Sequence, residues 1–489
     1  MTPEEFRAAA HVLVDWIADH RTRIAGLPVR STVAPGAVAT ALGAEPPGST
    51  RDIASLIAEL DRTIVPGITQ VQHPRNFAWF PSNASLASVL GDMASSGLGA
   101  LGITWQAAPA LTEVEEVVTD WLRQLTGLSE QWHGTIHDTA STAALVAMLA
   151  ARERATGHGS ERGGLQQAPA PLTVYASPQA HSSVAKAVLL AGYGRENLRE
   201  IATDPKTYAL DPAALDAAIR ADLAAGLRPA AIVASIGSTG TTAVDPLADI
   251  VPIARAHGLW LHVDAAMAGS ALLLPEYRWL VEGLDGANSL SWNPHKWMGT
   301  ILDCSLFYVR NPAELVRVLS TDPSYLRSAV DGAVIQYKDW GIPLGRRFRA
   351  LKLWFHLHLD GVEAIRARLR RDLANARWLT DQVEQTSGWR LLAPVPLQTL
   401  CLRHEPPGLV GPDGTMLDGS ALDAHTLAWV EAVNATGEAF LTPITLDGRW
   451  VARISIGAEP TEQADVEALW RIVRREAERL AAPAGATTD

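Results

Sequence analysis

Two helical patterns of apolar residues open the chain. In residues 2–24, Phe6, Leu13, Trp16 and Ile17 recur at a spacing that lines them along one stripe of a helix. Thr2 can cap this helix, Pro3 suits its first position, and Glu5 completes a capping box with Thr2. A Pro/Gly-rich linker from Pro35 to Gly48 follows, and then Ile53, Leu56, Ile57, Leu60 and Ile64 repeat the helical spacing. In a lone monomer such an arm has little of its own chain with which to cover its apolar stripe.

From residue 90 to residue 345 the pattern changes. Short apolar, partly β-branched runs at Leu172–Ala176, Ala231–Ser235, Leu259–Val263, Ser289–Trp292 and Leu306–Val309 predict strands. Between them, Asp211–Leu223 and Pro246–His257 keep helical spacing. This alternation predicts an α/β architecture, a mostly parallel sheet with helices on both faces. Residues 157–170 read as a polar Gly/Pro loop. Ser320 to Gly345, with turn formers and isolated charges, predicts a long mobile loop rather than a packed element. Beyond Pro343, an Arg-rich helical pattern leads to short strands near Leu400 and at Val451–Ile456, then to a final helix over 461–480. The tail AAPAGATTD predicts disorder. The expected division is a helical arm (1–89), a large α/β domain (90–345) and a small α+β domain (346–489).

Composition narrows the functional classes. Of 489 residues, 47% are hydrophobic and 19% charged, an ordinary globular balance. The formal net charge of −12 disfavours nucleic acid or an anionic membrane as a partner. The two cysteines, Cys304 and Cys401, are too few for a disulfide framework, which fits a reducing cytoplasm. Cys304 lies in an apolar run and reads as a small buried hydrophobe. The first residues lack the basic start and apolar core of a secretory leader. No strongly apolar run reaches the roughly 20 residues of a membrane span. No metal is expected.

The chemistry concentrates in two short motifs. Asn293-Pro294-His295-Lys296-Trp297 places one lysine in an otherwise uncharged turn. Taken alone, Lys296 fits a surface lysine, or a buried amine kept neutral by desolvation and able to form a Schiff base with an aldehyde cofactor. Leu261-His262-Val263-Asp264-Ala265-Ala266 lies 32 positions earlier (296 − 264) and reads as a strand ending in an acid. Asp264 there fits a helix N-cap, or a carboxylate that holds a proton on the ring nitrogen of pyridoxal phosphate (PLP), and the two roles are compatible.

The runs HVDAAMAGSA and NPHKW resemble the group II PLP-dependent decarboxylases, and most closely the aromatic-L-amino-acid decarboxylases. The resemblance extends through HPRNFAWFPSNAS (73–85), GITWQAAPALTEVE (102–115), DTASTAALVAMLAARE (138–153), QAHSSVAKA (179–187), IGSTGTTAVDPL (236–247), DPSYL (322–326) and WGIPLGRRFRALKLWF (340–355), in the family's order. It implies fold type I, with a mostly parallel seven-stranded-type sheet, and PLP as cofactor. It further implies a homodimer whose N-terminal arm wraps onto the partner and whose active sites are shared.

Residue by residue, the resemblance assigns the cofactor link to Lys296, the pyridinium partner to Asp264 and the ring-stacking imidazole to His181. Thr139, Ala140 and Ser141 match the phosphate loop, and a helix start with free N–H groups suits an anion there. Ser141 also fits simple N-capping. Asn293 and His295 match further contacts at the cofactor end. Thr239 matches a residue that hydrogen-bonds near the imine or ring, and Ser238, Asp245 and Ala266 match supporting positions. Asp138 stands where animal relatives have glycine, and an acid beside a phosphate is expected to face outward. Tyr325 matches the acid that protonates the substrate Cα after carbon dioxide leaves. Trp79, Phe80, Pro81 and Ser82 match the side-chain pocket, Ile103 a position reached from the other subunit, and Gly345 a position where glycine leaves room for large rings. Val71 and Met267 replace aromatic residues of animal relatives.

The implied reaction converts an aromatic L-amino acid (tryptophan, 5-hydroxytryptophan, phenylalanine, tyrosine or DOPA) to its arylalkylamine and carbon dioxide. An aromatic aldehyde synthase is one alternative, disfavoured because relatives with that tendency carry phenylalanine in place of Tyr325. An apolar pocket disfavours an acidic substrate. An inactive relative kept as a binding protein is the alternative from another class, disfavoured by the joint presence of Lys296, Asp264, His181 and Tyr325.

Overall fold

A computed structural model describes residues 1–321, 324–326, 330, 332–411 and 416–481. They form two compact units. The larger contains Ser82–Arg377 and Leu391–Cys401, and the smaller contains Met1–Pro81, Trp378–Arg390 and Leu402 onward.

The larger unit is built on seven strands: β1 (His133–His137), β2 (Leu172–Ala176), β3 (Leu198–Glu200), β4 (Arg228–Ser235), β5 (Trp260–Asp264), β6 (Ser289–Trp292) and β7 (Ser305–Val309). Their order is β1-β7-β6-β5-β4-β2-β3. β7 runs antiparallel to both neighbours, β1 and β6, and the other pairs are parallel. This is the mostly parallel sheet the sequence implies. The helix Ala140–Thr156 packs across β4 to β7, with Ala143, Val146, Ala147 and Met148 buried among Val174, Ala231, Val233 and Phe307. Its alanines let helix and sheet approach closely. β1 and β3 were not expected. HGTIH lacks a continuous apolar run, and β3 is a three-residue edge strand.

The expected opening helix forms over Pro3–Arg23, with both bonds of the Thr2–Glu5 capping box and no buried residue. The Pro35–Gly48 linker contains a short helix, Ala37–Leu42. The long Arg-rich pattern is two helices, Ala350–Leu359 and Val362–Gln385, separated at Gly361, whose φ of +80° glycine adopts without a Cβ clash.

The smaller unit carries most of a second sheet, formed by β8 (Trp389–Leu391), β9 (Thr399–His404), β10 (Thr442–Leu446) and β11 (Arg449–Ser455) in the order β10-β11-β9-β8. Helices Gly419–Ala435 and Gln463–Ala481 pack together beside it. Residues 76–78 lie along this C-terminal region: Asn76 bridges Phe440, and Phe77 accepts the Ser455 N–H at 2.9 Å. Distant parts of the sequence thus share one unit, whereas the expected division ran linearly along the chain.

The 320–345 stretch differs from expectation in its second half. Tyr337 and Trp340 are buried in the main core, and Ile335 packs against it. Isolated aromatics in a polar run carry no periodic signal, so sequence pattern did not reveal this anchor.

Candidate active site

Five parallel strands deliver the expected cofactor residues to one edge of the sheet. β1 leads into Asp138 and Thr139, β2 into His181, β4 into the turn with Thr239, β5 into Asp264, and β6 into Asn293–Lys296. The carboxyl edge of a parallel sheet is where α/β proteins bind ligands. Main-chain bonds lace the adjacent ends together. Ile236 N–H donates to Asp264 O, Ala265 N–H to Ser291 O, and Asn293 N–H to Ala266 O, each at 2.9 Å.

Lys296 sits in a wide helical turn, Pro294–Met298, whose regular backbone breaks at Lys296 itself. Pro294, His295, Trp297 and Met298 are buried, and Lys296 is half-buried. The turn is clamped from several sides. Lys296 N–H donates to Asn293 O at 3.0 Å, and Asn83 Nδ2 donates to Lys296 O at 3.3 Å. Arg368 donates to the carbonyls of Trp297 and Met298 at 2.6 and 2.7 Å. Trp297 Nε1 donates to the buried Asp372 at 2.8 Å.

Asp264 Oδ1 accepts from Ala266 N–H at 2.9 Å and from Ser291 Oγ at 3.4 Å. Asp264 is not the helix N-cap of the first sequence reading, because the next helix, Ala268–Leu273, starts after Met267; one oxygen instead fixes the turn that follows the strand. His181 caps the helix Ser182–Leu190, its Nδ1 accepting from Ser183 N–H at 3.2 Å. Burial lowers the His181 pKa, the Lys296 charge lowers it further, and Asp264 opposes both. Lys296 and Asp264 thus both lie close enough to His181 to act on its charge.

At the phosphate end, Thr139 occupies the N-cap of Ala140–Thr156 and spends no side-chain bond on the cap. The first-turn N–H groups of a helix have no intrahelical acceptor. Ser141 lies one residue inside this helix rather than at its cap. Asp138 is half-buried, and its Oδ1 accepts Thr139 N–H at 2.8 Å. The carboxylate folds back to satisfy the donor at the start of the helix. His295 Nδ1 accepts Cys304 N–H at 3.0 Å, and its pKa is lowered to about 4, mainly by burial. The ring is therefore neutral, with its proton on Nε2. Asn293 is buried and its Oδ1 has no partner among the described residues.

The pyridoxal-dependent decarboxylase conserved domain matches residues 35–405. The chain belongs to this family. It is 39% identical to phenylacetaldehyde synthase of Arabidopsis thaliana, covering 98% of this chain and 97% of that protein. It is 38% identical to tryptophan decarboxylase 2 of Oryza sativa subsp. japonica, covering 98% and 96%. A solved structure of Oryza sativa TDC with PLP and tryptamine superposes with a TM-score of 0.94 at 34% identity over 99% of both chains.

PLP is thus the cofactor of this decarboxylase, and the residues present fit it. The helix start at Thr139–Ser141 offers donors to a phosphate, and the buried Asn293 Oδ1, without a partner among the described residues, can accept from a donor. Lys296, Asp264 and His181 supply an amine, a carboxylate and an imidazole on one sheet edge.

The remaining expected residues fall in both units. Trp79, Phe80 and Pro81 belong to the smaller unit; Ser82, Ile103 and Gly345 belong to the larger. Trp79 is exposed, and Phe80 lies under the Arg453 guanidinium at 4.5 Å. Ile103 is half-buried, and a Cβ on Gly345 would meet only Leu101 at 3.6 Å. Thr239 is exposed in its turn. Asp245 is fully buried and accepts the N–H groups of Leu210 and Ser235 at 2.7 Å each. Val71 is half-buried in the smaller unit, and Met267 is buried against the Gln398 amide at 3.2 Å. Cys304 is buried as expected. Tyr325 belongs to a short 3-10 turn, Ser324–Leu326, and its side chain lies outside the described residues, as do Asp322 and Pro323. Sequence reading missed Asn83, Arg368 and Asp372, which hold the lysine turn from far along the chain. Among the described residues, no helix is long and apolar enough to cross a membrane.

Proposed function

We propose that this decarboxylase acts on aromatic L-amino acids and releases the arylalkylamine and carbon dioxide. The observation that carries the reading is the convergence of Lys296, Asp264 and His181 on one sheet edge in a chain that spans nearly all of its relatives. PLP, when bound, withdraws the electron pair left on Cα as the carboxylate departs. The chain's residues arrange this. Lys296 holds the cofactor through its amine. Asp264 keeps a proton on the ring nitrogen, and His181 covers the ring. Thr139, Ala140 and Ser141 bind the phosphate, with Asn293 and His295 at the same end. Tyr325 returns a proton to Cα and so decides between amine and aldehyde. The tyrosine at this position supports decarboxylation over aldehyde synthesis.

A second copy of the chain completes the site. The helix Pro3–Arg23 buries none of its residues, and Phe6 and Leu13 are exposed. On the larger unit, Leu86, Leu90, Met93, Leu98 and Leu101 are likewise exposed. Apolar groups in such number call for a covering surface. Ile103, beside this group, is proposed as a wall of the partner's pocket.

The test is amine release from tryptophan, 5-hydroxytryptophan, phenylalanine, tyrosine, DOPA and histidine, with carbon dioxide and peroxide measured in the same reaction. Equal amine and carbon dioxide from at least one aromatic substrate, without peroxide, is the expected result. Aldehyde and peroxide in place of amine would assign an aldehyde synthase, and no turnover would overturn the reading.

A further inference from the structure

His137 is the last residue of β1, and the turn assigned to the cofactor phosphate begins at the next residue. Its ring is buried and stacks on Phe307, with centroids 5.2 Å apart and planes 17° from parallel. Nε2 lies 3.0 Å from the main-chain oxygen of Trp340. A carbonyl only accepts, so Nε2 carries the proton. Nδ1 is buried and has no partner among the described residues, which leaves it the bare nitrogen. Burial pulls the His137 pKa down to about 4, in keeping with a neutral ring.

Trp340 closes the segment that carries Tyr325, fifteen residues before it (340 − 325). The base of this segment is fastened to the same strand and its surroundings. Tyr337 OH donates to Gly134 O in β1 at 3.1 Å, and the Arg346 guanidinium lies 4.9 Å from the Tyr337 ring. Arg346 in turn donates to Ile136 O at 3.1 Å and to the buried Glu115 at 2.5 Å. Gln336 Oε1 accepts Trp105 N–H at 2.9 Å. The residue after Trp340 is Gly341, where an added Cβ would come within 3.3 Å of His137 Nε2. Glycine there lets the backbone reach the imidazole.

We propose that His137 is a positioning residue that couples the phosphate turn to the segment carrying Tyr325, through its hydrogen bond to the Trp340 carbonyl. One rigid ring touches both: its own backbone feeds Asp138 and Thr139, and its Nε2–H holds the base of the segment. Phosphate binding at the turn steadies His137, and His137 steadies the segment that presents the proton donor. The coupling rests on the assignment of Tyr325 given above.

His137→Phe keeps the ring and its stack on Phe307 and deletes the donor. His137→Gln restores an N–H at a similar reach. Gly341→Ala leaves His137 intact and crowds the contact, so it serves if His137→Phe does not fold. Hydrogen exchange of the amides of 335–342 is measured with and without PLP, alongside peroxide and carbon dioxide from the holoenzyme. In the wild type PLP should slow exchange at 335–342. In His137→Phe or Gly341→Ala that protection should fall by about fivefold, the population change expected for one lost neutral hydrogen bond, and peroxide per carbon dioxide should rise. His137→Gln should restore both. Equal PLP-induced protection in wild type and variants, or none in the wild type, overturns the coupling. If Tyr325→Phe releases no extra peroxide, the assignment of Tyr325 fails, and the exchange measurement still decides the role of His137.

Discussion

The indole of Trp297 donates its Nε1–H to Asp372 at 2.8 Å, and this bond pins the residue after Lys296 to the helix Val362–Gln385. Asp372 also lies 3.4 Å from Arg368, whose guanidinium holds the Trp297 and Met298 carbonyls. The lysine turn is therefore fixed by an ion pair one helix turn long, between the half-buried Arg368 and the buried Asp372.

Asp372→Ala leaves the half-buried Arg368 without its counter-ion and the buried Trp297 N–H without its acceptor. Removing the buried partner of this pair should cost about 3 kcal/mol of stability. Asp372→Asn, which keeps an acceptor for Trp297, should lose less and retain more cofactor. Chemical denaturation and bound PLP per chain measure both. Equal stability of Asp372→Ala and the wild type would show that the clamp is dispensable.

Asp264→Asn keeps the bond from Ala266 N–H, since the amide oxygen still accepts, and removes the charge. Turnover should fall by on the order of a hundredfold, about 3 kcal/mol in the barrier, while the fold persists. Near-native turnover with PLP bound would reduce Asp264 to a turn-forming residue.

Acid should destabilise the fold before most surface carboxylates titrate. Burial lowers His137, His262, His295 and His404 from an ordinary 6.5 to about 4, and His356 to about 3. Between these values the unfolded chain binds protons that the folded chain refuses, so unfolding free energy falls as pH drops from 6.5 toward 4. Asp245 works in the opposite direction, because burial lifts its carboxyl from 3.8 to about 6 and the folded state takes that proton first. Five histidines outweigh one carboxyl. The urea midpoint should therefore fall between about pH 7 and about pH 5, and a constant or rising midpoint would contradict the burial of these rings as neutral bases.

Tyr325→Phe retains an aromatic ring and deletes the transferable proton. Carbon dioxide release should continue, while amine falls and aldehyde, ammonia and peroxide appear at the expense of oxygen and water. An unchanged ratio of amine to carbon dioxide would assign the proton to another group, with His181 the first to examine.

The candidate chemistry was legible in the sequence where it is local. Asp264 ends an apolar strand, Lys296 follows the next strand, and each motif spans a few residues. The central strands were legible for the same reason. What supports the site was not. Asn83 reaches Lys296 across 213 positions, and Trp297 meets Asp372 across 75. Single polar residues in helices carry no mark of such a partner. β1 was hidden by histidines and a glycine, and with it the contact of His137 to Trp340. The bond from Thr139 N–H to Asp138 was likewise not legible, because charge alone does not show which backbone donor a carboxylate meets.

The most direct test is to reduce the holoenzyme with borohydride, digest it, and find the peptide that carries the cofactor by mass. The label should fall on Lys296 alone, one per chain, and Lys296→Ala should carry none and show no turnover. A label on Lys186, which lies near His181, or on the fully buried Lys352 would contradict the assignment of the site.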